Sequence, residues 1–169
     1  LGEDILVDDG KIIFKVLETD NKTNVKVKTI QGGILKSRKG INLPNTKISL
    51  PALTKKDIED THFSIENRFD WIALSFVRNT NDINKLRTLI EKKSKYKIPV
   101  IAKIEKPEAV KNINEIISSS DGVMVARGDL GVEIPPAEVP LVQKKIVLNA
   151  KKERIPVIIA TQMMENMIN

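Results

Sequence analysis

The chain has 169 residues, 41% of them apolar and 30% charged, with 28 basic and 22 acidic side chains and a formal net charge of +6. This length suits one globular domain with a hydrophobic core and a small appendage, and the apolar share excludes an intrinsically disordered chain. The sequence has no apolar run of about 18 residues, no signal-peptide pattern and no cysteine, so we expect no membrane partner and a reducing, cytoplasmic location. Because the basic residues are spread along the chain and aromatic residues are few, we expect no nucleic-acid partner.

Residues 1–44 have the pattern of short β-strands. Residues 5–7 are followed by Asp8-Asp9-Gly10 and then by residues 12–17. An Asp-Gly pair between β-branched runs predicts a hairpin, because glycine accepts the positive φ of a tight turn. Residues 24–29 alternate apolar and polar side chains, which predicts a strand with one face in water. A sheet this small is marginally stable alone, so we expect it to pack on the rest of the chain.

From about residue 48 onwards, helices and strands alternate. Thr54 and Asp57 have capping-box spacing, with Asp in place of the usual Glu, at the start of a helix that runs toward Glu66. Further helices are predicted from Asn81, over residues 110–117 and over residues 139–150, and buried strands over residues 70–76, 99–104, 122–126 and 156–160. Strands joined by helices are parallel, so we expect an α/β fold built from βα units.

The two folds open to such units are a doubly wound sheet and part of a (β/α)8 barrel. No Gly-x-Gly-x-x-Gly turn follows a strand, which disfavours a dinucleotide-binding sheet. Polar side chains follow each predicted strand instead, as in barrels, where active sites lie at the carboxyl ends of the strands. Four strands cannot close a barrel, which takes about 250 residues. We therefore expect part of a barrel.

The polar residues at these strand ends are candidates for a site. Because side chains alternate along a strand, Lys103 and Glu105 share one face. Glu105 and Asp129, on adjacent strand ends, offer the oxygen ligands that Mg²⁺ and Mn²⁺ prefer. The glycines beside Asp129 let the backbone approach a ligand and offer amides to an anion. A lysine, a metal and amides together suit phosphoryl transfer or enolate formation.

Each of these residues also has an ordinary structural interpretation. Lys103 and Glu105 can form a simple ion pair, Asp129 can be a turn residue, and Thr161 can be a hydrogen bonder at a strand end. Their joint placement on consecutive strand ends favours the functional interpretation.

Several segments resemble the pyruvate kinase family. Residues 100–110, with Lys103-Ile104-Glu105-Lys106-Pro107 at their centre, resemble its active-site signature, and residues 121–135 resemble its metal and substrate loop. Residues 74–78 and 160–163 are similar to neighbouring strand ends of the family, and residues 36–44 to the link between its small β-rich lid and its barrel.

The resemblance implies a partial TIM (β/α)8 barrel with a small β-rich lid segment at the N-terminus. Residues 1–44 would be the C-terminal half of the lid, and residues 45–169 the central part of the catalytic barrel. The family's first barrel strands, the first half of its lid, its last barrel strand and its C-terminal domain would then have no counterpart here.

The implied activity is the transfer of the phosphoryl group of phosphoenolpyruvate to ADP, giving pyruvate and ATP. Lys103 would stabilise charge on the phosphoryl group and the enolate, and Glu105 and Asp129 would hold Mg²⁺ or Mn²⁺. Amides near Gly128 and Asp129 would receive the substrate carboxylate, and Thr161 would lie in the path of enolate protonation.

The resemblance also implies more peripheral contacts. Ser75 would lie near the phosphate and a K⁺ site whose ligands are mostly outside this segment, and Lys39 would approach the nucleotide. The full-length enzyme would be a cytoplasmic homotetramer, and the 169 residues alone are expected to be inactive.

Two other functions stay open. One is a metal-dependent barrel lyase or aldolase that acts on a pyruvate enolate and shares the Glu105 and Asp129 metal pair. The other is a non-catalytic folding or interaction segment. A lyase has no need of a β-rich lid that carries Lys39, so residues 1–44 favour the kinase over the lyase.

Overall fold

The structure of the chain is a computed structural model that describes residues 1–44, 46, 51, 53–161 and 163. The predicted domain boundary adjoins Asn45, which lies outside the described residues, as do Gln162 and residues 164–169 of the predicted barrel segment. The described strands are β1 (Asp4–Val7), β2 (Ile12–Thr19), β3 (Val25–Gln31), β4 (Ile41–Asn42), β5 (Ile72–Leu74), β6 (Val100–Ile104), β7 (Gly122–Ala126) and β8 (Val157–Ala160). The helices are α1 (Lys55–Glu66), α2 (Thr80–Lys93), α3 (Pro107–Lys111), α4 (Ile113–Ser119), α5 (Arg127–Glu133) and α6 (Val139–Lys152), with a 3₁₀ helix at Pro136–Glu138.

The first sheet is antiparallel and has the strand order β3-β2-β1-β4. The turn between β1 and β2 confirms the predicted hairpin. Asp8, Asp9 and Gly10 have φ angles of 54°, 56° and 80°, the left-handed region that Asp tolerates and Gly accepts without strain. The strand β4, which the sequence did not reveal, adds to the other edge of β1, with Ile41 opposite Val7.

The prediction that β3 has one covered face is wrong for the described residues. All seven residues of β3 are exposed, and the alternating Val25 and Val27 are 52% and 36% exposed. The physical reason is its position, because β3 is the outer strand of the sheet and lies farthest from β1 and β4. Within the described part of the chain, β3 is held by strand pairing with β2 and by the Gln31 side chain, which donates to the Lys11 carbonyl at 2.9 Å.

The second sheet confirms the predicted parallel βα units. Its strands follow chain order, β5-β6-β7-β8, and every pairing is parallel. Helices cross between successive strands, as parallel pairing requires. The predicted capping box at the start of α1 is also confirmed: the Thr54 hydroxyl accepts from the Asp57 amide at 3.2 Å, and the Asp57 carboxylate accepts from the Thr54 amide at 2.7 Å.

Three helix predictions need correction. The helix α2 starts at Thr80 rather than Asn81, because the Asn79 side chain caps it by accepting from the Asn81 amide at 2.9 Å. The single helix predicted over residues 110–117 is two helices, α3 and α4, separated at Asn112. The segment that begins at Arg127, which the resemblance implies is part of a metal and substrate loop, is the helix α5, anchored by the fully buried side chain of Leu130.

The two faces of the parallel sheet differ in burial. On one face, β6 and β7 present side chains with no exposed surface, such as Ala102 and Val123, which belong to one core with residues of α2, α4 and α6. On the other face Ala73 is exposed, Ile101 and Met124 are half-buried, and Ile158 is 41% exposed. The described helices therefore cover one face of this sheet only.

The antiparallel sheet contacts the parallel half of the chain at α5. The Asn42 side chain of β4 donates to Glu133 Oε1 at 2.9 Å. Gly10 in the β1–β2 turn is near Val132: a Cβ placed at residue 10 would lie 4.0 Å from Val132 Cγ1. This contact brings the antiparallel sheet next to the carboxyl ends of the parallel strands. Among the described residues, no helix has both the length and the apolar character needed to cross a membrane.

Candidate active site

Lys103 lies at the centre of a short chain of polar contacts at the carboxyl end of the parallel sheet. Its ammonium donates to Ser75 Oγ at 2.8 Å and lies 2.7 Å from Glu105 Oε1. The register explains the first contact, because Leu74 of β5 pairs with Ala102 of β6, which brings the next residues of the two strands, Ser75 and Lys103, side by side. The second contact follows from the alternation along β6.

Glu105 is buried and held from both sides. Its side chain is 2% exposed, and its second oxygen, Oε2, accepts from the Phe76 amide at 2.7 Å. Phe76 has a φ of 54°, a left-handed conformation that is costly for a residue with a Cβ. In this conformation the Phe76 amide points at the Glu105 carboxylate. Backbone strain at Phe76 therefore occurs together with a hydrogen bond to a residue of the site.

Asp129 adds a second carboxylate next to Glu105. It lies in the first turn of α5, directly after β7, and β7 pairs with β6. Burial raises the pKa of the Asp129 carboxyl, and the negative charge of Glu105 raises it further, while Lys103 acts in the opposite direction. The site therefore holds more negative charge than Lys103 neutralises.

This electrostatic imbalance fits a divalent cation. In the part of the chain that the structure describes, no group of three or more His, Asp or Glu side chains could hold a metal ion. A cation here would have Glu105 and Asp129 as protein ligands and would take its other oxygens from water or substrate, as Mg²⁺ commonly does. Each Glu105 oxygen accepts one hydrogen bond and keeps a further lone pair for a metal.

The turn between β1 and β2 brings a third acidic residue toward the site. The Asp9 charge is close enough to raise the pKa of Asp129. Both residues line a cavity of about 950 Å³, together with Asn42, Ser75, Phe76 and Lys106. The cavity continues along β5 to α1, where Asp57, Phe69 and Trp71 line it. It lies between the antiparallel sheet and the parallel sheet, open to a ligand that contacts both.

The other predicted site residues lie around this centre. Gly128 is the second residue of α5, next to Asp129. Thr161 follows the carboxyl end of β8, is exposed and has a φ of 59°; β8 is the neighbour of β7 through the pair Ala126–Ala160. No hydrogen bond joins Thr161 to Lys103 in the described residues.

Lys39 forms an ion pair with a residue of the antiparallel half of the chain. Its ammonium pairs with Asp8 at 2.8 Å, and this hydrogen bond raises the pKa of Lys39. Gly40, the next residue, lines the cavity. The structure thus holds Lys39 beside the cavity, paired with a carboxylate that a ligand would have to replace.

Sequence reasoning missed three groups at the site. Asp9 was interpreted only as a turn residue, the Phe76 amide has no side-chain signal, and Glu133 was part of a motif without a role of its own. The Asp-Asp-Gly triplet could have indicated Asp9, since one Asp suffices for the turn. No pattern in the sequence predicts a positive φ at Phe76.

Comparisons with known proteins decide the family. A family model described as "Pyruvate kinase, barrel domain" matches residues 1–169. The chain is 48% identical over 169 residues to pyruvate kinase 2 of Synechocystis sp. and 48% identical over 168 residues to a pyruvate kinase of Staphylococcus aureus, covering 99% of this chain in both cases. The chain belongs to the pyruvate kinase family. It spans 28% of the length of each of these two pyruvate kinases.

Proposed function

We propose that the protein carrying these residues transfers the phosphoryl group of phosphoenolpyruvate to ADP and so forms pyruvate and ATP. The observation that carries the proposal is the ammonium of Lys103, held between Ser75 and Glu105 at 2.8 and 2.7 Å beside the second carboxylate of Asp129. Membership of the pyruvate kinase family supports the reaction class.

The proposed architecture is a partial (β/α)8 barrel with a lid segment. Residues 1–44 form the C-terminal half of the lid, and residues 45–169 form the central part of the barrel. Support comes from the face of the parallel sheet that carries Ala73, Ile101 and Ile158. This face is apolar yet open, whereas all-parallel sheets are buried on both faces. It corresponds to the packed interior of a barrel.

Lys103 provides the positive charge for the reaction. A lysine ammonium has three N–H donors, and the described partners Ser75 and Glu105 take two. The third N–H is available to an oxygen of the transferring phosphoryl group and then to the enolate oxygen of pyruvate. Because two contacts fix the ammonium beforehand, little reorganisation is needed when charge develops, which is the condition for effective electrostatic catalysis.

Glu105 and Asp129 hold the divalent cation. Mg²⁺ or Mn²⁺ held there would supply positive charge that stabilises the negative charge of the phosphoryl group and the enolate. The two carboxylates fix its place, and the Phe76 amide keeps Glu105 in position. A K⁺ ion near Ser75 belongs to the same proposal, with ligands mostly outside these residues.

The remaining contacts orient the substrates. Backbone amides near Gly128 and Asp129 are in the first turn of α5, where N–H groups lack intrahelical acceptors, so they suit the carboxylate of phosphoenolpyruvate. Thr161 lies by the enolate carbon, in the path of protonation, and Lys39 leaves Asp8 to meet the nucleotide. The proposed partners are phosphoenolpyruvate, pyruvate, ADP and ATP, in a cytoplasmic homotetramer without nucleic-acid or membrane partners.

The test is ATP formation by the complete protein that carries residues 1–169. With phosphoenolpyruvate, ADP, K⁺ and Mg²⁺ present, we expect pyruvate and ATP in equal amounts, and no product after chelation of the Mg²⁺. Release of pyruvate from an aldol substrate without any ATP formation would instead support a metal-dependent lyase, and absence of both products would support a non-catalytic segment.

A further inference from the structure

Glu133, at the C-terminal end of α5, is a buried carboxylate with partners from two other segments. Its side chain is 2% exposed. Its Oε1 atom accepts from Asn42 Nδ2 at 2.9 Å and from Lys106 Nζ at 2.5 Å. Asn42 belongs to β4 of the antiparallel sheet, and Lys106 directly precedes α3 in the connection after β6.

These contacts form a fixed junction rather than a loose surface pair. An ionised carboxylate out of water is costly unless it is paired and hydrogen-bonded, so its partners must stay in place. Lys106 is itself only 14% exposed, and its ammonium also lies 5.8 Å from the centre of the Phe76 ring. A Cβ placed at residue 10 would lie 4.0 Å from Val132 Cγ1, a van der Waals distance that fixes no direction.

The junction joins the two groups of residues that the reaction needs to bring together. Asp129 lies in the first turn of the same short helix, α5, that ends in Glu133. On the other side, Asn42 lies on the sheet that carries Asp9 and Lys39, and β4 pairs directly with β1. A change in the junction therefore changes the distance between the sheet that carries Lys39 and Asp9 and the helix that carries Asp129.

We propose that Glu133 is a positioning residue that anchors the antiparallel sheet on α5 and so sets the approach of Lys39 and Asp9 to Asp129. The expected effect on KM for ADP rests on the proposed function, whereas the anchoring of the sheet on α5 rests on the contacts of Glu133 alone. Glu133 touches no reacting atom. It acts through Asn42 and Lys106.

The first variant is Asn42→Ala in the complete protein. It removes the side chain through which the antiparallel sheet bonds to Glu133, and it leaves the buried pair of Glu133 and Lys106 intact. If the fraction of molecules in which the antiparallel sheet contacts α5 falls to about one tenth, the apparent affinity for ADP falls about tenfold. We expect KM for ADP to rise by that factor while kcat at saturating ADP changes less than twofold, because bound nucleotide restores the docked arrangement.

Two substitutions of Glu133 separate positioning from simple folding. The carbonyl oxygen of Glu133→Gln can still accept from Asn42, so we expect nearly normal KM for ADP. Loss of the charge that pairs with Lys106 should instead appear as a lower unfolding temperature. Glu133→Ala loses both contacts and should resemble Asn42→Ala or exceed it. The matched control is Lys26→Ala on the same sheet, which removes an exposed ion pair with Glu18 at 3.0 Å and should leave both constants unchanged.

A distance measurement gives a readout that does not depend on activity. Spin labels on cysteines introduced at the exposed residues Lys28 and Lys92 report the placement of β3 relative to α2 by pulsed electron paramagnetic resonance. We expect a narrow distribution without substitution and with Glu133→Gln, and a broad one with Asn42→Ala that narrows again when ADP and phosphoenolpyruvate are added.

Failure of this inference is distinguishable from failure of the proposed function. If the unsubstituted protein forms no ATP, the proposed function is wrong, and the distance distribution alone decides on Glu133. A distance distribution that stays equally narrow in Asn42→Ala and Glu133→Ala would show that Glu133 does not anchor the antiparallel sheet. So would an active protein in which Asn42→Ala lowers kcat and leaves KM for ADP unchanged.

Discussion

The ammonium of Lys103 lies 2.7 Å from Glu105 Oε1, two residues further along the chain at the end of the same strand. The Glu105 side chain is buried, whereas a quarter of the Lys103 side chain is exposed. The pair therefore leaves part of its cation open to solvent and keeps its anion buried. This asymmetry suits a lysine that meets an anionic substrate.

Replacement of Lys103 by Met tests whether this ammonium acts in the transition state. We expect kcat to fall by about 10²–10³, the usual effect of removing a preorganised group that stabilises developing charge, while ADP and Mn²⁺ still bind. The measurement is steady-state kinetics with calorimetric binding, and thermal unfolding checks that the variant folds.

The control for Lys103→Met is Lys56→Met, because Lys56 is 78% exposed and pairs with Asp60 on α1. It should leave kcat unchanged. A Lys103→Met enzyme with normal kcat and raised KM for phosphoenolpyruvate would mean that Lys103 binds ground state and transition state equally.

Ser75→Ala removes one of the two contacts that orient Lys103. A hydrogen bond of this kind contributes about 1 kcal/mol, so we expect kcat to fall about fivefold, far less than with Lys103→Met. A loss as large as that of Lys103→Met would show instead that Ser75 contacts the substrate or its cations directly.

Asp121 gives a pH-dependent contribution to stability away from the site. Burial raises the pKa of its carboxyl, but hydrogen bonds from the Val100 amide and Arg87, with the charges of Arg87 and Lys97, outweigh burial and lower the pKa below its ordinary value of 3.8. A carboxyl with a lowered pKa in the folded state stabilises that state above the unfolded value and loses this contribution as the pH falls through the folded value.

We therefore expect Asp121→Asn to reduce the free energy of unfolding by about 1–3 kcal/mol at pH 7. The difference from the unsubstituted protein should shrink below about pH 4. Urea denaturation between pH 3 and pH 7 measures it, with the exposed Asp60→Asn as control. A difference that is constant with pH would contradict the assignment of this stability to ionised Asp121.

Residues 1–169 expressed alone should self-associate and lack catalysis. The open face of the parallel sheet, with Ile158 at 41% exposure, favours association between copies. So do the outer edges of β5 and β8, which pair with no further strand among the described residues. Analytical ultracentrifugation and an ATP assay test this. A monomer with one cooperative unfolding transition and measurable turnover would mean that the chain needs nothing more to cover this face.

Local sequence signals predicted the elements that short-range chemistry determines. The Asp-Gly turn after β1, the Thr54–Asp57 capping box and the strand-end positions of Lys103 and Glu105 each depend on a few adjacent residues. In contrast, no helix was predicted at α5, where Gly128 and Gly131 are poor helix formers. The burial of Leu130, a long-range effect, stabilises it instead.

The parts of the site that were not predicted depend on contacts between distant segments. The Phe76 amide meets Glu105 across 29 positions of sequence, and Asn42 meets Glu133 across 91. The pairing of Lys39 with Asp8 likewise follows from the antiparallel sheet and not from a motif. Residue types near a strand end could be predicted, whereas their partners in space could not.

The most direct test of the account is the Mn²⁺ affinity of the complete protein, measured by electron paramagnetic resonance with and without phosphoenolpyruvate. If Glu105 and Asp129 are the protein ligands, Glu105→Gln and Asp129→Asn should each weaken Mn²⁺ binding by at least about tenfold, and excess metal should restore part of the ATP formation. The exposed control Asp60→Asn should bind Mn²⁺ normally. Unchanged Mn²⁺ affinity in both Glu105→Gln and Asp129→Asn would contradict the metal site and the mechanism built on it.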